Sequence, residues 1–291
     1  MKVYINKLRN AVVSKRLTLA AKKRLIRDLE AVLKRIGSGE YETSGIIENV
    51  FDVPEKTKQF YALLDSYSNI GRAWSSVLEH LSINSHDLVL DLCPGHAPKV
   101  ELGLFYCNYK GDVVVLDKDR EALAWLKKFV DLFNPSFNFI SYRQDFFSLG
   151  LKKFPLVIGN HVIDDLILCY FAEKEGVSMR EIYEKEGEFL KMWDKILVNR
   201  NINFREVVDA MARSFEGLVS DKGYLCLTQY KSYMEKSLNL NKPYLFAKAV
   251  FNELAKILRV RGFVKLNYIN VKIRRDEKCF KPSELVILKK L

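Results

Sequence analysis

From Asp87 onward, short apolar runs alternate with segments of helical period, and each of the first three runs is followed by an acidic residue at its end. Leu88-Val89-Leu90 leads to Asp91, Val113-Val114-Val115-Leu116 to Asp117, and the run from Phe137 to Tyr142 to Asp145. A fourth run, Leu156-Val157-Ile158, leads to Asn160-His161. Runs too short to be helices and too continuous to be half-exposed strands are strands buried on both faces. Strands of that kind, joined by helices such as Arg120 to Phe133 with Leu123, Leu126, Val130 and Phe133 on one side, predict an α/β chain with a mostly parallel sheet covered on both faces.

Around this unit the organisation changes. Residues 1–85 read as a helical N-terminal region: a basic helix over 17–36 with Leu19, Leu25, Ile26, Leu29, Val32, Leu33 and Ile36 at helical spacing, a stop at Gly37, and two further helical segments, Glu55 to Tyr67 and Gly71 to Leu81. Residues 86–291 read as the sheet domain. Between the fourth strand and a fifth at Tyr224 to Thr228 lies more sequence than one crossover needs, so a helical insertion is expected over about 166–220. A helix from Tyr244 to Val260 follows. Two strand-like runs, Phe263 to Ile273 and Glu284 to Leu288, then suggest a closing hairpin.

Composition narrows the classes. With 48% hydrophobic and 29% charged residues the chain can bury a full core. No apolar run approaches the ~20 residues of a membrane span, and Met1 to Asn10 lacks an apolar signal core, so no membrane partner and a cytoplasmic location are expected. Cys93, Cys107, Cys169, Cys226 and Cys279 form no C-x-x-C pair and have no histidine at ligand spacing, so neither a disulfide framework nor a metal site is expected.

Charge is unevenly placed: residues 1–36 carry eleven Lys/Arg against Asp28 and Glu30, and residues 256–291 carry eleven against Asp276, Glu277 and Glu284. An acidic middle between two basic ends suggests contact of the termini with a polyanion such as RNA, or else two solvated basic faces.

The stretch Asp91-Leu92-Cys93-Pro94-Gly95-His96-Ala97 joins a buried strand to a helix through an acidic residue and a turn of small residues, the place where α/β sheets hold nucleotide-like ligands. It resembles the first motif of class I S-adenosylmethionine-dependent methyltransferases, D/E-x-G-x-G-x-G, with Asp91 at the acid and Cys93, Gly95 and Ala97 at the glycine positions. Only Gly95 of the three is a glycine, and Pro94 removes one backbone donor. The resemblance implies a Rossmann-like, mostly parallel seven-stranded sheet with a reversed last strand, S-adenosyl-L-methionine as cofactor, and methyl transfer.

It further implies a cofactor set of Asp91, Leu92, Cys93, Gly95 and Ala97, with Asp117 on the ribose, Lys118 beside the adenine, Asp145 and Phe146 against the adenine, and Asn160 at the acceptor side. Arg72 is a candidate partner of the methionine carboxylate. Asp119 and Asp145 also suit helix capping. His161 is the candidate general base, with Asp164 or Asp165 to orient it, and His96 is a lesser candidate.

Rival readings differ at named residues. A dinucleotide fingerprint would need glycine at Cys93 and Pro98. Base-amine methylation would need prolines and an aromatic after Asn160, where His161-Val162-Ile163 stands, and carbon-5 chemistry would need a cysteine nearer than Cys169. Methyl transfer to RNA or another anionic acceptor, methyl transfer to a small molecule, and a non-catalytic nucleic-acid-binding protein on the same fold stay open, as does the oligomeric state.

Overall fold

The computed structural model describes residues 55–133, 135–148, 152–184, 186–232, 235, 236, 238–267 and 280–291. The basic helix expected over 17–36, the stop at Gly37 and the connection 268–279 lie outside the described residues. In chain order the elements are α1 (Glu55–His80), β1 (Leu88–Leu92), α2 (Lys99–Tyr106), β2 (Asp112–Asp117), α3 (Arg120–Phe133), β3 (Asn138–Arg143), β4 (Phe154–Asn160), α4 (Ile163–Lys174), α5 (Met179–Glu184), α6 (Glu186–Val198), α7 (Arg200–Leu218), β5 (Val219–Thr228), α8 (Asn241–Val260), β6 (Phe263–Lys265) and β7 (Leu285–Lys290). The two helical segments expected over 55–81 are one helix, because Ser68 and Asn69 carry the helical backbone through to Gly71.

The strands form one seven-stranded sheet in the order β3-β2-β1-β4-β5-β7-β6. Strands β1 to β5 pair in parallel, and β7 runs antiparallel to both β5 and β6, so the reversed last strand is present. The closing hairpin pairs Phe263–Lys265 with Leu285–Lys290, and residues 268–273 of the expected first run lie outside the described residues. Strand β5 begins earlier than the expected Tyr224, and within it Lys222 takes φ 62° and the register to β4 shifts.

Side chains of successive strand residues alternate between the two faces, and here they feed two cores. One face packs Leu90, Val114, Val157 and Leu225 under α4, α6, α7 and α8 through Leu166, Trp193, Phe215 and Phe251. The other packs Val89, Val113, Ile158 and Cys226 under α1, α2 and α3 through Trp74, Leu104 and Leu126. The described part of α1 thus belongs to the sheet's own layer, and the boundary expected at residue 85 does not separate it from β1. Between β4 and β5 the chain forms four helices, α4 to α7.

The layer under α1 and α2 depends on two glycines. A Cβ on Gly71 would lie 2.6 Å from Leu102 Cβ, and one on Gly103 would lie 2.7 Å from Trp74 Cβ and 3.1 Å from the Gly71 carbonyl oxygen. The two helices therefore touch backbone to backbone, which sets the height of Trp74 and of Glu101 over the sheet. None of the described helices is long and apolar enough to cross a membrane. Gly103→Ala is expected to destabilise the chain by about 1–3 kcal/mol through overpacking. Denaturant unfolding of the two forms measures this, and equal midpoints would contradict the close approach.

Candidate active site at the strand tips

Register puts the tips of four strands at one level. Asp91 pairs with Val115 and Ile158, so two residues further on Cys93 stands level with Asp117 and Asn160, and Asn160 pairs with Thr228. Asp117 in turn pairs with Arg143 of β3, and Asp145 lies two residues beyond. Alternation assigns Asp91, Asp117, Asn160 and Thr228 to the face that α1 and α2 cover, which is why residues of those helices reach them.

The first loop turns through two left-handed residues, one of them not a glycine. Cys93 has φ 50° and Gly95 φ 61°, both left-handed. A Cβ added at Gly95 would meet nothing within 4 Å, so open space lies over the turn. The Cys93 N–H donates to the Leu116 carbonyl at 2.7 Å and the Gly95 N–H to Asp117 Oδ2 at 3.0 Å, fixing the loop to the tip of β2. Asp117 Oδ1 accepts the Asp119 N–H at 2.9 Å. Each carboxylate oxygen retains a further lone pair. Burial pushes Asp117 up to about 6, against the pull of the two backbone N–H groups.

Asp119 caps α3 by accepting the N–H groups of Glu121 and Ala122 at 2.7 and 3.2 Å. Asp145 accepts the Phe147 N–H at 2.6 Å, so it does cap the short turn that follows it, while its other oxygen pairs with Lys118. Lys118 also meets Glu173 at 3.4 Å. Phe146 is buried, with Phe147 and Phe215 rings at 5.0 and 4.8 Å, so its ring faces the core. Leu92 and Ala97 are buried as well.

Asn160 bonds through both ends of its amide. Its Oδ1 accepts Trp74 Nε1–H at 2.9 Å and Thr228 Oγ1–H at 3.4 Å, and its Nδ2 donates to the Tyr230 hydroxyl at 3.2 Å. One amide thereby binds α1, β4 and the segment after β5. His161 follows in a left-handed conformation, φ 57°, with its N–H donated to the Thr228 carbonyl at 3.0 Å. Its ring lies between two carboxylates, Nε2 at 3.1 Å from Glu235 Oε2 and Nδ1 at 3.3 Å from Asp164 Oδ1, with the Tyr230 ring at 4.8 Å.

Burial alone would lower His161, but Asp164 and Glu235 outweigh it and raise its pKa to about 10. Asp165, next along, accepts a hydrogen bond from the Tyr183 hydroxyl of α5. His96 is the opposite case: burial, helped by Lys99, pushes it down to about 4 and leaves it neutral.

Of the residues expected at the site, Asp91, Cys93, Gly95, Asp117, Lys118, Asp145, Asn160, His161 and Asp164 stand along one edge of the sheet. Arg72 does not join them: it is exposed on α1, its guanidinium 5.9 Å from the centre of the Tyr106 ring at the last residue of α2. The cation that does stand at the first loop is Lys99, 5.6 Å from the Tyr67 ring centre. Burial works against its charge, but the Tyr230 and Tyr67 hydroxyls more than compensate and raise its pKa. Glu235, Thr228, Tyr230 and Trp74 were equally invisible to the sequence, since they arrive from β5, the segment after it and α1. Glu101 gave a faint signal as the one acid within the apolar Val100-Glu101-Leu102 run.

Asp91 and Glu101 are 1% and 0% exposed, and none of their four carboxylate oxygens has a hydrogen-bond partner. Two adjoining buried acceptor groups are reconciled by a proton between them. Burial raises both, with each other's charge adding to Asp91, and Glu101 is pushed up to about 7 from its usual 4.5. An acid whose pKa is higher in the folded state is most favourable to folding at low pH. Its contribution is lost as pH rises from about 4.5 through about 7, by up to ~3 kcal/mol. Glu101→Gln is expected to raise the melting temperature above neutral pH and to flatten its slope between those limits. Calorimetric scans across that range check it, and an unchanged slope would rule out a shared proton.

No family model and no curated protein matches the sequence. Solved structures do. The N-methyltransferase NodS from Bradyrhizobium japonicum is 13% identical, with 76% of this chain and 96% of that chain covered and a TM-score of 0.41. An S-adenosylmethionine-dependent methyltransferase from Clostridium acetobutylicum is 12% identical, covering 75% and 91% with a TM-score of 0.42. The pyocyanin biosynthetic protein PhzM is 11% identical, covering 90% and 68% with a TM-score of 0.49. The mostly parallel seven-stranded sheet with its reversed β7 is a Rossmann-like arrangement. Identities of 13% or less leave it to this chain's own residues to say what the site does.

Proposed function

We propose that the chain binds S-adenosylmethionine across the tips of β1, β2 and β3 and transfers its methyl group to an acceptor held at the tip of β4. The observation that carries this reading is the common level of Cys93, Asp117 and Asn160, with Asp117 bonded to the Gly95 N–H below an open turn. An adenosine needs what stands there: a carboxylate with lone pairs left for two hydroxyls at Asp117, a small-residue turn that lets a ligand approach the backbone, and polar groups at Lys118 and Asp145 for the base. Lys99 supplies the positive charge suited to an amino-acid carboxylate, in place of Arg72. The left-handed Cys93 is consistent with a turn that admits a ligand without a glycine at that position.

When bound, the cofactor supplies an activated methyl group; the protein's work is alignment. Asn160 holds the tip of β4 against α1 and the segment after β5, and His161 and Asp164 form the acceptor-side wall. With both ring nitrogens facing carboxylates, His161 reads as a group that orients polar neighbours. Calorimetric titration with S-adenosylmethionine should give saturable binding that Asp117→Ala weakens about tenfold to a hundredfold, the worth of hydrogen bonds to a charged group. Equal affinities would move the cofactor elsewhere.

The acceptor we favour is RNA or another anion, on the strength of the basic residues over 1–36 and 256–291. A small acceptor is supported by a separate contact, Tyr183 of the inserted α5 bonded to Asp165 at the site, which lets the insertion close over the crevice. Labelled methyl donor offered with total RNA and with a small-molecule extract decides between them. Label in RNA that falls steeply with added salt is expected for the first.

A further inference from the structure

The geometry points to a divalent transition-metal site at the acceptor side, held by His161 Nδ1 and Asp164 Oδ1 and oriented by Glu235. The three groups come from the tip of β4, the first turn of α4 and the segment after β5, and their ligand atoms lie within 4.8 Å of one another. They are 9%, 8% and 3% exposed. Asp164 Oδ1 is buried without a hydrogen-bond partner although His161 Nδ1 is only 3.3 Å away. Nδ1 and Oδ1 are thus close enough to bond and are not aligned to do so.

A metal resolves what a proton does not. Two ligand atoms each about 2.1 Å from one ion and 3.3 Å apart subtend about 100° at that ion, an ordinary coordination angle. Glu235 Oε2 faces the opposite nitrogen at 3.1 Å and is itself held by the Ser232 N–H at 2.6 Å. A carboxylate that takes the Nε2–H leaves the Nδ1 lone pair to the metal, the usual arrangement behind a ligating histidine.

One imidazole and one carboxylate suit Mn2+, Fe2+, Co2+ or Zn2+ better than Ca2+ or Mg2+. The other coordination positions are left to water or to an oxygen or nitrogen of the acceptor, which the ion would polarise.

Chelator-treated chain, free of S-adenosylmethionine, is titrated calorimetrically with MnCl2 and ZnCl2. One equivalent is expected to bind, with saturation lost in Asp164→Asn and affinity lowered about tenfold in Glu235→Gln, the common cost of losing an orienting partner. No saturable binding, or one isotherm for all three proteins, overturns the site. Should Asp164→Asn fail to fold, pulsed EPR of the Mn2+-loaded wild-type chain decides. Coupling to an imidazole nitrogen that disappears in His161→Gln supports the site, and an ion bound by oxygen alone overturns it. Because no cofactor is present, a chain that binds the ion but not S-adenosylmethionine would separate this inference from the methyl-transfer reading on which its acceptor role rests.

Discussion

Alternation along parallel strands is the constraint from which the site follows. Once Val89, Val113 and Ile158 turn toward α1, α2 and α3, Asp91, Asp117 and Asn160 must turn the same way two or four residues later. No local preference of an aspartate or asparagine brings that about; the burial of the apolar residues in each strand does, at about 25 cal/mol for every Å² removed from water. A one-residue slip of β1 would exchange Asp91 with Leu92 and bury a carboxylate in the core under α4. The register that fills the two cores is therefore the register that levels the tips.

The same packing explains why charges of one sign gather so closely. Asp91, Glu101, Asp117, Asp164, Asp165 and Glu235 all approach the tips, and burial pushes several of them up. Such a cluster is tolerated through specific partners: backbone N–H groups for Asp117, a tyrosine for Asp165 and an imidazole for Glu235. Lys99 is the cation set among them. Desolvated carboxylates with little to neutralise them are a standing cost, one that a cationic ligand would relieve.

The strands, their order along the chain and the acids at their ends were legible because each depends on a few neighbouring residues: an apolar run, then a turn. Capping by Asp119 and Asp145 was legible for the same reason. The rest depends on distance. Phe146 reads locally as a ring beside an adenine, but Phe215 of the inserted α7 draws it into the core. Arg72 reads as a cation near the first strand, yet its place on α1 turns it toward Tyr106. Trp74 and Glu235 meet their partners across 86 and 74 residues of chain, and no local window of sequence contains both members of such a pair.

Strand β7 follows β6 in the chain but lies between β6 and β5 in space. During synthesis β6 therefore emerges with no neighbour to pair with, and β5 keeps an open edge, until the residues after 284 arrive. For that interval the parallel sheet exposes an unpaired ladder beside apolar Leu225 and Leu227, a template for strands of other molecules. The final insertion covers the β5 edge and leaves β3 and β6 as the edges of the sheet.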